Sequence, residues 1–209
     1  NVAVGRDALL TNATSNDNTA VGTNALKLAT VGGNTAIGSN ALGVNSTGAS
    51  NFGGGNAVLA RNTTGSNNVG VGVDALSFNT TSNNNTAVGY QAGYSNTTGA
   101  TGITAVGYQA GYSNTTGGIT AVGRGALYSN TTGYSNVAVG GYDSTNNIQG
   151  ALYANTTGNN NSALGSFSLG ANTTGSNNSA FGFMSLQANT TASNNTAVGY
   201  QALQLNTTG

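Results

Sequence analysis

Four aspartates, Asp7, Asp17, Asp74 and Asp143, are the only acids in a chain of 209 residues that has no glutamate, histidine or cysteine. Proton transfer and nucleophilic attack need groups of suitable pKa held close together, and these aspartates form no pair. Asp7 and Asp74 share a repeat position, but four coils separate them, about 19 Å at the spacing of neighbouring strands. Serine and threonine are plentiful, with no base to activate them. The calcium-binding pattern Gly-Gly-x-Gly-x-Asp is missing. Residue types alone therefore predict a protein that is not an enzyme, with no catalytic residue, no cofactor and no metal site.

One modification chemistry is written densely. Asn-x-Ser/Thr, the acceptor pattern for N-glycosylation, occurs fifteen times, and eleven instances share one column: Asn12, Asn45, Asn62, Asn79, Asn96, Asn114, Asn130, Asn155, Asn172, Asn189 and Asn206. Sugars there would keep a charge-poor chain in solution. The alternative, which we favour, is structural: identical amides stacked from coil to coil hydrogen-bond as a ladder, as in cross-β assemblies.

Composition narrows the partners. Charged residues make up 4% of the chain, against about 25% in ordinary globular proteins. Arg6, Lys27, Arg61 and Arg124 balance the four aspartates. No basic stripe offers itself to nucleic acid, and near-neutrality favours association of copies. No apolar run approaches 18 residues, so no membrane insertion is expected, and no leader is visible. The first residue falls in mid-repeat, which suggests a segment of a longer array.

All these residues sit in a repeat. TAVGYQAGYSNTTG from Thr86 to Gly99 returns unchanged from Thr104 to Gly117, and looser copies fill the rest. The glycine closing each copy's first step stands at Gly5, Gly22, Gly38, Gly55, Gly72, Gly89, Gly107, Gly123, Gly140, Gly165, Gly182 and Gly199. A period near 17 means each unit buries its apolar side against its neighbours. Glycine in every unit and β-branched residues at fixed phase exclude helices. The expected fold is all-β: a parallel β-solenoid (β-roll) of about twelve 17-residue coils, a single array over residues 1–209. At about 4.8 Å per coil it would form a rod of roughly 60 Å.

Within each unit, period-2 alternation places two columns on one strand face. The larger, apolar one is the expected core ladder: Val4, Val21, Ile37, Val71, Val88, Val106, Val122, Val139, Leu164, Phe181 and Val198. The Ala or Gly column between them then faces outward, either as a lateral interface with another chain or as the wall of a tight coil. A second anchor is the leucine of each Ala-Leu step, such as Leu26 and Leu76. Gly93 and Gly111 lack it, and Tyr94 and Tyr112 are expected to fill the space. Between Gly140 and Gly165, 25 residues replace 17, which predicts an inserted loop near 141–148 carrying Tyr142 and Asp143.

The units at Asn1 to Gly5, Asn85 to Ala92 and Asn195 to Leu203 resemble the head repeats of trimeric autotransporter adhesins, with their Asn-Ser-Val-Ala-Ile-Gly pattern, and related phage tail-fibre repeats. That resemblance implies left-handed parallel β-rolls, usually three chains together, that attach to surfaces. The leading expectation is thus a non-catalytic structural or adhesive extracellular fibre segment, at a cell surface or on a virion, that self-associates as a homo-oligomer or head-to-tail filament. A phage tail-fibre receptor-binding shaft is one alternative. Another is an ice-binding solenoid using the Thr63, Thr80, Thr97, Thr115 and Thr131 column. Surface glycans are a further candidate partner, through Tyr90, Tyr108, Tyr128, Tyr142 and Tyr200.

Overall fold

The computed structural model describes residues 1–99, 102–141 and 149–208. The inserted loop, with Tyr142 and Asp143, therefore lies outside the described residues, as does Gly209. Two compact units, 1–103 and 104–209, make up the chain. The first holds β1 (Val2–Val4), β2 (Thr19–Val21), β3 (Thr35–Ile37), β4 (Phe52–Gly54), β5 (Val69–Val71) and β6 (Thr86–Val88). The second holds β7 (Thr104–Val106), β8 (Ile119–Val122), β9 (Asn136–Val139), β10 (Ser162–Leu164), β11 (Ser179–Phe181) and β12 (Thr196–Val198). Each unit is a parallel β-solenoid in which a strand pairs with the next in sequence, repeat position on repeat position, as in Val69↔Thr86, Gly70↔Ala87 and Val71↔Val88. Register survives the long coil, because Val137, Ala138 and Val139 pair with Ser162, Ala163 and Leu164.

The strand faces are the reverse of the expectation. Ala20, Ala36, Ala87, Ala105, Ala121, Ala138 and Ala180 are completely buried, while the predicted core ladder faces out. Val4, Ile37, Val71, Val88, Leu164, Phe181 and Val198 are exposed, and Val21, Val106, Val122 and Val139 are half-buried. The reason is width. A coil that also encloses leucine and asparagine columns has space at the middle of the strand for one methyl group, not for two β-branched side chains. Gly53 and Gly70 show how tight it is: a Cβ on them would meet Val58 at 3.1 and 2.6 Å. Val58 stands where other coils carry Ala or Ser, so a larger residue on one wall is matched by glycine on the other. The small-residue column is thus the inner wall, and a lateral interface through it is ruled out.

After each strand the chain turns on a glycine. Gly72, for example, has φ +120°, and a Cβ there would lie 2.6 Å from the carbonyl oxygen of Gly89. Two left-handed residues follow, separated by one residue, as in Asp74 (φ 58°) and Leu76 (φ 52°). A left-handed leucine costs roughly 1–2 kcal/mol. Burying its side chain returns about 1.5–3 kcal/mol, and its amide bonds the neighbouring coil, as from Leu76 N–H to Ala92 O at 3.0 Å. Leu26, Leu42, Leu59, Leu76, Leu127, Leu152, Leu169 and Leu186 are all fully buried this way.

The leucine vacancies are filled differently from the prediction. A Cβ on Gly93 would touch Ile103 Cδ1 at 2.9 Å, and one on Gly111 would touch Ile119 Cδ1 at 3.0 Å. Ile103 and Ile119 replace the asparagine that stands just before the strand in other coils, and both are buried. Tyr94 and Tyr112 remain on the flank, against Phe78 at 4.8 Å and Tyr128 at 5.1 Å between ring centroids.

Candidate functional site

Asparagine side chains form two internal ladders. In the first, Asn62 donates from Nδ2 to Asn45 Oδ1 at 2.7 Å, Asn79 to Asn62 at 2.7 Å, and Asn96 to Asn79 at 3.0 Å. In the second unit Asn130 donates to Asn114, Asn155 to Asn130, Asn172 to Asn155 and Asn189 to Asn172, at 2.7–3.0 Å. Most of these amides also donate to a carbonyl of their own turn, as Asn62 does to Gly65 at 2.9 Å. Asn45 to Asn189 in this column are completely buried. Asn12 and Asn206 are half-buried, and Ala29 occupies the column between Asn12 and Asn45. The nitrogen a glycan would need is thus enclosed and hydrogen-bonded at Asn45, Asn62, Asn79, Asn114, Asn130, Asn155, Asn172 and Asn189. Of the two readings of the column, the geometry supports the ladder. The four acceptor patterns outside it, at Asn84, Asn160, Asn177 and Asn194, are exposed and left-handed.

The second ladder escaped sequence reasoning. Asn34, Asn51, Asn68 and Asn85 stand just before their strands, and each Oδ1 bonds the backbone N–H of the next member or its replacement: Asn51 at 3.0 Å, Asn68 at 3.0 Å, Asn85 at 3.0 Å and Ile103 at 3.1 Å. Its signal was the asparagine recurring four residues before the turning glycine in every coil except those of Gly107 and Gly123, hidden within a polar run that reads as turn.

The threonine column is tied down as well. Thr63, Thr115, Thr131, Thr156 and Thr173 each donate their hydroxyl to the carbonyl of the equivalent residue in the next coil at 3.0–3.1 Å. These hydroxyl hydrogens hold neighbouring coils together and are not presented to ice.

What faces solvent is the other side of the strands. Thr-x-Val is the commonest outward pair, as at Thr86 and Val88 or Thr120 and Val122. Val71 and Val88 are 37% exposed, Ile37 47% and Leu164 51%. No charged residue lies in any of the twelve strands.

The remaining chemistry is on the turn flank. Asp7 and Lys27 approach to 3.6 Å. Arg61 lies over the Phe78 ring at 3.8 Å, and Arg124 over Tyr108 at 5.3 Å. Tyr112, Tyr128 and Tyr153 stack nearly parallel with centroids 5.1 Å apart. Beside them Tyr108, Gln109, Arg124, Gly125, Tyr128 and Tyr153 line a groove of about 180 Å³. Of the tyrosines singled out from sequence, it gathers Tyr108 and Tyr128. Tyr90 and Tyr200 are exposed elsewhere, and Tyr142 is outside the described residues. Among the described residues no three His, Cys, Asp or Glu cluster as metal ligands, and no helix is long and apolar enough to cross a membrane. Compared with protein-family models, curated proteins and solved structures, the chain finds no match.

Proposed function

We propose that this chain is a non-catalytic structural repeat protein, an extracellular fibre or adhesive segment whose copies associate through the outer faces of their sheets. The observation that carries the reading is the outward Val column. A β-solenoid has no need of valine, isoleucine, leucine and phenylalanine on its solvent side, and contiguous apolar patches mark interaction surfaces. The face carries no charge that association would strand away from water. Three further features agree with it: the resemblance of the NTAVG units to adhesin head repeats, the near-zero net charge, and the shortage of residues able to do acid–base chemistry. Light scattering of the purified chain should give a mass that is a multiple of 20.4 kDa, with rods in electron micrographs. A monomer at every concentration overturns the proposal.

A further inference from the structure

We propose that the outer sheet face of the second unit packs on the same face of a second copy about a two-fold axis parallel to its stack of coils, so that each strand lies across its own counterpart, reversed. The inference rests on association through the outer faces and adds which strands meet.

Each strand presents two outward residues, one on either side of the buried Ala or Gly. In nine strands these are Thr or Val followed by Val or Ile, as at Thr104 and Val106 or Val137 and Val139, side chains of nearly equal size. The other three depart from this in one way. Phe52 is paired with Gly54, Ser162 with Leu164 and Ser179 with Phe181. Glycine and serine stand at no other outward strand position. A Phe or Leu is thus always set beside a small residue on its own strand. In β4 the effect is direct: a Cβ on Gly54 would lie 3.5 Å from the Phe52 ring, which leans along its strand over the glycine.

Water fills any step on an open face, so solvation gives no reason to compensate size within a strand. A packed interface does, because its core matches the density of a protein interior and a knob on one side needs a recess on the other. Where knob and recess share a strand, the partner that fits is that strand turned around. Rotation by 180° about an axis along the stack keeps every coil at its own level and reverses the strand. Phe181 then faces Ser179 of the partner subunit, and Leu164 faces Ser162 of the partner subunit. A two-fold axis along the strands would instead set each column against itself, with Leu164 and Phe181 meeting Leu, Phe or Val and the serines meeting no large residue. Such a same-patch contact is the ordinary form of a two-fold dimer.

Pulsed electron paramagnetic resonance on the full chain tests the arrangement, since the protein has no cysteine to compete for a thiol-reactive spin label. Ser135, Asn177 and Asn194 are exposed and stand at one repeat position, five residues before the turning glycine, so labels on Ser135→Cys, Asn177→Cys and Asn194→Cys avoid the face itself. Ser135 and Asn194 precede strands three coils apart, about 14 Å along the stack. The three variants should give one and the same distance between copies. An axis along the strands would give distances that change with the level of the coil. Exchange of residues checks the fit: Ser179→Phe and Phe181→Ser should each weaken pairing about tenfold in sedimentation, through overpacking and a void respectively. The double variant, with large against small again, should return to within about twofold of wild type. The same exchange at Ser162 and Leu164 should behave alike, so a single variant that fails to fold does not remove the test. A wild-type monomer overturns this pairing and the proposed association together. A trimer, unequal label distances, or additive losses in both exchanges overturn the two-fold pairing and leave association through the outer faces standing.

Discussion

The coil that begins at Gly55 and the coil that begins at Gly107 follow the same path with different interiors. The first closes over Leu59 and, before its next strand, Asn68; the second has Gly111 and Ile119 at those positions. Where asparagine stands, side chains bridge the coils: Asn68 Oδ1 accepts the backbone N–H and the side-chain amide of Asn85, both at 3.0 Å. Ile119 has no amide to offer, and the backbone takes over. Strands β8 and β9 are each one residue longer at their start, and Ile119 pairs directly with Asn136. What these two coils hold constant is the filled volume of the layer and the pairing of the backbone just before the strand. Which residue supplies either is free, provided its partner changes too.

Substitutions that change one member of the pair should be costly. Leu59→Ala, fully buried and with no isoleucine opposite to fill the gap, should lose about 2–5 kcal/mol in denaturant unfolding, the usual range for such truncations. A loss below 1 kcal/mol would mean that the layer collapses freely and that the comparison of the two coils is mistaken. Asn68→Ile puts a large side chain beside Leu59 and removes the acceptor used by Asn85, which should cost about 2–3 kcal/mol. Combined with Leu59→Gly, the same Asn68→Ile should be less damaging than the sum of the single changes by 1 kcal/mol or more, within the range known for residues in contact. Additive losses would show that Gly111 and Ile119 do not compensate each other.

Sequence reasoning reached the period, the parallel stacking, the leucine anchor and the first asparagine ladder because each is a column of one residue type at fixed phase. It failed on which side of the strand is inside. Three-residue strands show one alternation, so either parity fits, and hydrophobicity alone sends valine inward. The choice is made by the width of the coil, which depends on the leucine and asparagine columns across it. Val58 set against Gly53 and Gly70 held the clue, for a glycine that answers a valine within the same or the next coil must face it. The left-handed leucines were not legible at all, since leucine ordinarily avoids positive φ and only the stacked geometry makes it worthwhile. The groove was half legible: its tyrosines stood out, whereas Gly125, which lines it without a side chain, did not.

The outer column sharpens the comparison from the other direction, because the two coils, so different inside, present the same residue outside: Val71 in one and Val122 in the other. If layer volume governs stability, a charge placed there should leave the fold intact. Val71→Asp and Val122→Asp should each change stability by less than about 1 kcal/mol, as expected of substitutions on a solvated face. Both should nevertheless lower the mass measured by light scattering, since a carboxylate buried between two sheets has no partner there and loses its hydration. Loss of stability without loss of mass would place these valines in the packing of their own chain. An unchanged mass in both variants would show that copies meet elsewhere, and the outer face would lose its assigned role.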